Sequence, residues 1–328
     1  MTPFKFYIII TPNSLRFLKF ALWSLHKRKD INIVLVANGL ANKEDVELRT
    51  FCNQIQCDYL QLKTSKVLSH GATLNVLLAQ HNDPWFCFCD SDIISIDSQA
   101  NDIQINNKIK AISSCDAMFW DDSEVKGVLG RCNRWPDGSD NLASFFCIYH
   151  TETIKYLIDK YNIGFDNAIF KQIKSDKIRR ILNQKGIDET SRKLDTGKVL
   201  TAALELDRHS FTHVEILSLL HIGGMSSWML NGDKTLIHAQ YNLTDTDLYE
   251  IASKDSWLFN LNSQRDTDNK IFYLRRQQRL AAARYCFQLI SHYVDETPKP
   301  TQDLSDENFL SKIDTIETII KQYYAEAL

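Results

Sequence analysis

Hydrophobic positions in the first part of the chain switch repeatedly between a continuous run and a helical stripe. Phe4–Ile10 is a β-rich apolar run that stops at Thr11-Pro12-Asn13. Leu15, Leu18, Ala21, Leu22 and Leu25 then recur at helical spacing, with Asn13 or Ser14 available to cap the helix. Ile31–Ala37 predicts a second strand closed by Asn38-Gly39, Lys43–Phe51 a helix, Gln56–Leu62 a third strand, and Gly71–Gln80 a helix leading to Pro84. Trp85–Cys89 is apolar throughout, the pattern of a strand buried on both faces of an α/β sheet, and it runs straight into Asp90. Strands and helices alternating in this way predict an α/β fold with a mostly parallel central sheet flanked by helices.

Beyond Asp92 the pattern is less regular, as expected where loops build a substrate surface. Ala117–Trp120, Ala143–Tyr149 and Val214–Leu220 predict strands, and Thr151–Tyr161 and Lys193–Leu206 predict helices. From Asn242 onward the chain reads as mainly helical, with Ile271–Tyr293 and then Leu304–Ala327 after a joint at Pro298 and Pro300. The expected organisation is a main domain over residues 1–241 and a helical C-terminal region over 242–328.

Composition narrows the function classes. The 328 residues, 44% hydrophobic and 24% charged, can bury a large core. A formal net charge of -3 provides no general attraction to phosphate backbones, so nucleic acid is not expected as a partner. Phe6–Ile10 is too short for a signal-peptide core, and no later run approaches the ~20 apolar residues of a membrane span, which points to the cytoplasm. The eight cysteines are scattered, and Cys87 and Cys89 fall on one side of an apolar strand, so they read as reduced core residues rather than staples or zinc ligands.

The candidate chemistry begins at Asp90-Ser91-Asp92. In an extended backbone residues i and i+2 point the same way, so Asp90 and Asp92 would present two carboxylates together while Ser91 turns aside. Two carboxylates suit a hard divalent cation, Mn2+ or Mg2+, that bridges to substrate phosphates. Ligands of open α/β sheets bind beyond the carboxyl ends of the strands, where this pair stands. A loop merely opened by aspartates is the alternative.

At these residues the sequence resembles the GT-A (Rossmann-like) glycosyltransferases, particularly the family 2 type. The matching pieces are Tyr7-Ile-Ile-Ile-Thr-Pro-Asn13, Ile33-Val-Leu-Val-Ala-Asn-Gly39, His70-Gly-Ala-Thr-Leu-Asn75 and Trp85-Phe-Cys-Phe-Cys-Asp-Ser-Asp92. The resemblance covers about the first hundred residues and implies a donor half over 1–100 and an acceptor half over 101–241. It implies a metal-dependent hexosyltransferase with a nucleotide-sugar donor, a UDP-sugar favoured, and a glycan or lipid-linked acceptor. Thr11 and Asn13 would lie near the base, His70, Gly71 and Asn75 along the nucleotide or sugar, and Asp90, Ser91 and Asp92 at the metal and diphosphate. Asn38 stands where this group often has an acidic residue that holds the nucleotide. A late histidine often joins the metal in the group; His221, before Gly223-Gly224, is the candidate and His238 the fallback.

Inverting transfer needs a carboxylate base for the acceptor hydroxyl. Asp195, in a segment resembling a recurrent Asp-Thr-Gly of the group, is one candidate, with a helix N-cap as its alternative role; Asp188 and Glu189 compete with it. Asp121, Arg134 and Trp135, with Trp120, Asp122 and Arg131 nearby, form a mixture that suits an acceptor sugar. Arg275, Arg276, Arg279 and Arg284 make one late helix basic, either a solvated face or a peripheral contact with the inner face of a membrane. Ile313, Ile316, Ile319 and Ile320 form an apolar stripe for the main domain or for a second subunit in a homo-oligomer. Two other readings stand beside this one: a nucleotidyltransferase, for which Thr11-Pro12-Asn13-Ser14 is not the usual Gly-rich basic loop, and a non-catalytic carbohydrate-binding or scaffold protein.

Overall fold

The computed structural model describes residues 3–64, 66–106, 108–114, 116–117, 135, 137–167, 169–189, 194, 196–222, 225, 285–301 and 307–327. Strands β1 (Phe4–Ile10), β2 (Ile31–Ala37), β3 (Asp58–Gln61) and β4 (Trp85–Cys89) alternate with helices α1 (Leu15–His26), α2 (Asn42–Ile55) and α3 (His70–Gln80). They pair in parallel, as the alternation requires. Strands β5 (Ile93–Ser95), β6 (Ile109–Ser113), β7 (Asp116–Ala117) and β8 (Phe146–His150) follow, then α4 (Thr151–Tyr161), α5 (Asp176–Gln184), α6 (Lys198–Leu206), β9 (Ser210–His213) and β10 (Leu219–His221). Residues 285–295 form helix α7, and Glu307–Ala327 form α8.

The seven-stranded sheet has the order β3-β2-β1-β4-β8-β6-β9, and within it β8 runs against its neighbours β4 and β6. A three-stranded sheet, β5-β10-β7, stands beside it. Strand alternation feeds two separate cores, one on each face of the large sheet. Phe6, Ile8, Ile10, Cys87 and Cys89 point into a core built with α1, α2, α7 and α8. Phe86, Phe88, Cys147 and Tyr149 point into a second core built with α3, α4, α5 and α6. Cys87 and Cys89 are 0% and 2% exposed, and burial holds both thiols well above their usual pKa, so they are packing groups.

The C-terminal isoleucine stripe covers the main domain. Ile313, Ile316, Ile319 and Ile320 are buried in the same core as α1. Tyr323 packs edge-on to Trp23 at 5.7 Å, and Phe287 does the same to Phe17 at 4.7 Å.

Three sequence expectations shift. Of the strand expected over Val214–Leu220 only Leu219 and Leu220 are in a strand, β10; β9 already ends at His213, and residues 214–218 carry the chain from the large sheet to the small one. The helix expected from Lys193 begins at Lys198, after Gly197 adopts φ 77°. Of the strand expected over Ala117–Trp120, only Ala117 is described; Arg275, Arg276, Arg279 and Arg284 also lie outside the described residues. Among the described residues no helix is long and apolar enough to cross a membrane.

Candidate functional site

Strand β4 belongs to the large sheet and β5 to the small one, so Asp90-Ser91-Asp92 is the corner where the chain passes between them. This corner is a turn, with Ile93 N–H donating to the Asp90 carbonyl at 3.4 Å, rather than the extended backbone assumed from the i, i+2 spacing. The carboxylates meet all the same, around a third side chain that strand register delivers. His221 pairs with Ile93 across β10 and β5. Its Nε2 therefore lies 3.2 Å from Asp92 Oδ1 and 3.5 Å from Asp90 Oδ2.

Strand β8 closes the other side. Phe146 opposes Cys89, which brings Phe145 to the corner. The Phe145 carbonyl accepts the Asp90 N–H at 2.8 Å, and its ring lies 4.3 Å from the His221 ring. Asp92 is 1% exposed; its Oδ2 accepts the Met225 N–H at 2.8 Å, and its carbonyl accepts the Ile222 N–H at 3.1 Å. The Asp90 side chain, 32% exposed, faces outward from this frame.

One ligand atom from each of Asp90, Asp92 and His221 lies within 4.8 Å of the other two. Packing two carboxylates together in a partly desolvated corner is electrostatically costly unless positive charge is supplied. His221 Nε2 is buried and makes no hydrogen bond among the described residues, although carboxylate oxygens are its neighbours. Ligands at adjacent positions on one small divalent ion stand about 3 Å apart, given bonds of about 2.1 Å. The observed spacings match that requirement, and the donor set of two carboxylates with one imidazole suits Mn2+ better than Mg2+, which favours all-oxygen surroundings. The residues present fit a divalent cation.

Other expected site residues fall around this corner in two groups. His70 opens α3 with Nε2 4.0 Å from Asp90 Oδ1 and its ring edge-on to Phe88, so it joins the site directly. Thr11 directly follows β1, the strand next to β4, and its buried Oγ1 has no hydrogen-bond partner among the described residues. Ser91 is buried within the corner.

The second group shapes the loops. Asn38 is 1% exposed, and its amide both donates to the Leu68 carbonyl and accepts the Leu68 N–H, each at 2.9 Å. Gly39, with φ 69°, lets Val67 approach so closely that a Cβ would stand 2.7 Å from its nitrogen. Together they pin the segment that enters His70. Asn75 donates to Asp166 Oδ1 at 2.7 Å and accepts the Phe165 N–H at 2.9 Å, and a Cβ on Gly71 would meet the Phe165 carbonyl at 2.5 Å. Phe165 O in turn accepts the Gly197 N–H at 3.3 Å. Asn13 has φ 63° and donates its N–H to Glu44 Oε1 at 2.5 Å, which ties the β1–α1 turn to the start of α2.

Of the residues expected to supply the base, Asp188 and Glu189 are exposed and line a cavity of about 490 Å³ with Phe170, Arg179 and Asn183. None of the acidic-corner residues lines it. Gly197 occupies the cap position of α6. Asp195 itself, Asp121, Arg134 and His238 lie outside the described residues. Trp135 is 4% exposed and packed in the second core instead of presenting an open ring face. Sequence reasoning missed Phe145 and the Met225 N–H, since register and a returning backbone, not residue type, place them at the corner.

No protein-family model matches the chain, and no curated protein matches it significantly. Among solved structures it is similar to the mannosyltransferase PcManGT from Pyrobaculum calidifontis in complex with GDP-Man and Mn2+, at 9% identity and a TM-score of 0.40, over 97% of this chain and 86% of that one. It is similar also to S. aureus TarS 1-349, at 13% identity and a TM-score of 0.36, over 99% and 92% of the two chains. The glycosyltransferase GlyE of Streptococcus pneumoniae TIGR4 resembles it at 9% identity and a TM-score of 0.36, over 93% and 66%. With TM-scores below 0.5 these likenesses are loose, and the functional reading rests on this chain's own site. The observed α/β sheet, parallel through its first four strands and ending β4 on an acidic corner, agrees with the GT-A resemblance of the sequence.

Proposed function

We propose that the protein is a glycosyltransferase of the GT-A type that takes a nucleotide-sugar donor and depends on a divalent cation held by Asp90, Asp92 and His221. The observation that carries this reading is the convergence of His221 Nε2 on both carboxylates, 3.2 and 3.5 Å away, at the carboxyl end of the central sheet. A bound divalent ion at such a place neutralises the charge of a diphosphate leaving group. The chain supplies the rest. Thr11 and the Asn38-anchored segment border the donor side, and His70 stands beside Asp90 as a further polar group for phosphate or sugar. Inverting transfer would draw its base from Asp195, Asp188 or Glu189.

Thermal denaturation with UDP or GDP and MnCl2 tests the reading, since a ligand that binds only the folded state raises Tm. A shift that needs both nucleotide and metal, and that Asp92→Asn removes, supports it. No shift with any nucleoside diphosphate overturns it.

A further inference from the structure

Several buried polar side chains outside the acidic corner have an atom without a hydrogen-bond partner among the described residues, and two of them, Trp135 and Asn141, share the tight loop that leads into β8. Asn141 is 1% exposed, and neither its amide oxygen nor its amide nitrogen has a partner among the described residues. Trp135 is 4% exposed, and its indole Nε1 is orphaned in the same way. The loop is closed by Trp135 N–H donating to the Ser139 carbonyl at 2.8 Å, with Gly138 N–H returning to the Trp135 carbonyl at 2.8 Å. The ammonium of buried Lys198 fixes the next residue along, donating to the Leu142 carbonyl at 2.7 Å. Ala143 N–H is bound by Ser113 Oγ at 2.9 Å. The segment is therefore held from several sides, yet the Asn141 amide and the Trp135 indole N–H have no partner among the described residues.

Buried polar groups without partners are rare in folded proteins, and each calls for an explanation such as a ligand. The location supplies one. Four residues after Asn141 the same segment reaches Phe145, whose carbonyl holds the Asp90 amide and whose ring packs on His221. Four residues span at most about 13 Å, so Asn141 lies within the length of a nucleotide-linked sugar from the acidic corner. The orphaned groups comprise an amide N–H2 pair, an amide oxygen and an indole N–H, thus both donors and an acceptor. Vicinal hydroxyls of a sugar ring offer both in return, which neither a phosphate nor a metal ion does.

We infer that Asn141, assisted by Trp135 Nε1, reads the hydroxyls of a sugar ring, belonging either to the donor's glycosyl group or to a glycan acceptor. The inference rests on the transferase reading for its location but makes its own demand. A ligand-reading amide left unsatisfied in the free protein should cost the fold nothing when removed, whereas a structural amide should cost it stability.

The experiment uses the full-length protein with Asn141→Ala and Trp135→Phe, and measures three quantities. The first is Tm without ligand, expected to be unchanged or raised by ~2 °C for Asn141→Ala. The second is affinity for UDP or GDP with MnCl2, expected to stay within about twofold of the parent, because these ligands carry no transferred sugar. The third compares UDP-glucose, UDP-N-acetylglucosamine and GDP-mannose with MnCl2 in one arm, and cellotriose and maltotriose in another. A roughly tenfold loss confined to the nucleotide sugars assigns the hydroxyls to the donor, and one confined to the saccharides assigns them to the acceptor. A fall of several degrees in Tm with both arms unchanged makes Asn141 a packing residue and overturns the inference. Failure of the wild-type protein to bind UDP or GDP with metal defeats the transferase reading instead, and the saccharide arm then decides the role of Asn141 alone.

Discussion

His221 Nε2 stands 3.2 Å from Asp92 Oδ1, although Asp92 lies in the turn between β4 and β5 and His221 at the end of β10. Pairing of His221 with Ile93, the residue after Asp92, creates the contact. A histidine at this register contributes to a cation site only while β10 stays aligned with β5, so the site is a product of the small sheet as much as of the acidic motif.

Replacing that imidazole separates ligand from scaffold. His221→Ala is expected to lower metal-dependent donor turnover or hydrolysis by roughly 100-fold, in the range seen when groups around a metal are lost. Manganese titration of the hydrolysis rate checks this: the half-saturating metal concentration should rise, and high metal should restore part of the rate.

Loss of the Asn38 amide should act on loop order. Asn38→Ala removes both bonds to Leu68 and leaves the Leu68 groups to find water. The expected destabilisation is about 1–3 kcal/mol by chemical denaturation, with weaker binding of nucleoside diphosphate because His70 follows the anchored segment. Unchanged stability would show that the loop is held by other contacts.

At Gly71 the reason for glycine is contact, not backbone conformation. A methyl group there would stand 2.5 Å from the Phe165 carbonyl and 2.6 Å from the Asp166 Cα, both backbone atoms. Gly71→Ala is expected to cost about 1–3 kcal/mol despite the better helix propensity of alanine, measurable as a lower denaturation midpoint.

Acid should loosen the C-terminal helix through Glu317. Burial alone would raise its pKa, but hydrogen bonds from Lys299, Lys321 and Tyr285 outweigh that and hold it at about 2, below the ordinary glutamate value of 4.5. A group whose pKa is lowered on folding contributes stability above its unfolded pKa and loses it as pH falls. That contribution is therefore complete above about pH 4.5 and disappears progressively toward pH 2. Glu317→Gln should flatten the dependence of Tm on pH across this window relative to the parent protein.

The donor half of the fold was legible because its signals are local. Phe4–Ile10, Ile31–Ala37 and Trp85–Cys89 each end where the hydrophobic run ends, and the strands match those bounds. Short strands such as Ile93–Ser95 and Ser210–His213 carry too few residues for periodicity to register, and pairing alone defines them. For the site, Asp90 and Asp92 were readable from residue type and position at the end of an apolar strand, whereas His70 and His221 were pointed to by the family resemblance, His221 also by its place at a strand end. Asn38, Gly71 and Asn75 were readable as positions of note, but their physical work lies in clamping loops to backbone groups. The orphaned amide of Asn141 had no sequence signal, because an asparagine entering a strand looks like any turn residue until its burial is known.

The central claim is that the corner of the two sheets binds a divalent cation together with a nucleoside diphosphate. Isothermal titration of UDP and GDP into the protein, with and without MnCl2, and into Asp92→Asn, tests it most directly. Asparagine retains an oxygen for the Met225 N–H, so this variant is expected to stay folded. Binding that requires manganese in the parent and weakens by at least about tenfold in Asp92→Asn is the result the account predicts. Equal binding with and without metal, or equal binding by both proteins, would contradict it.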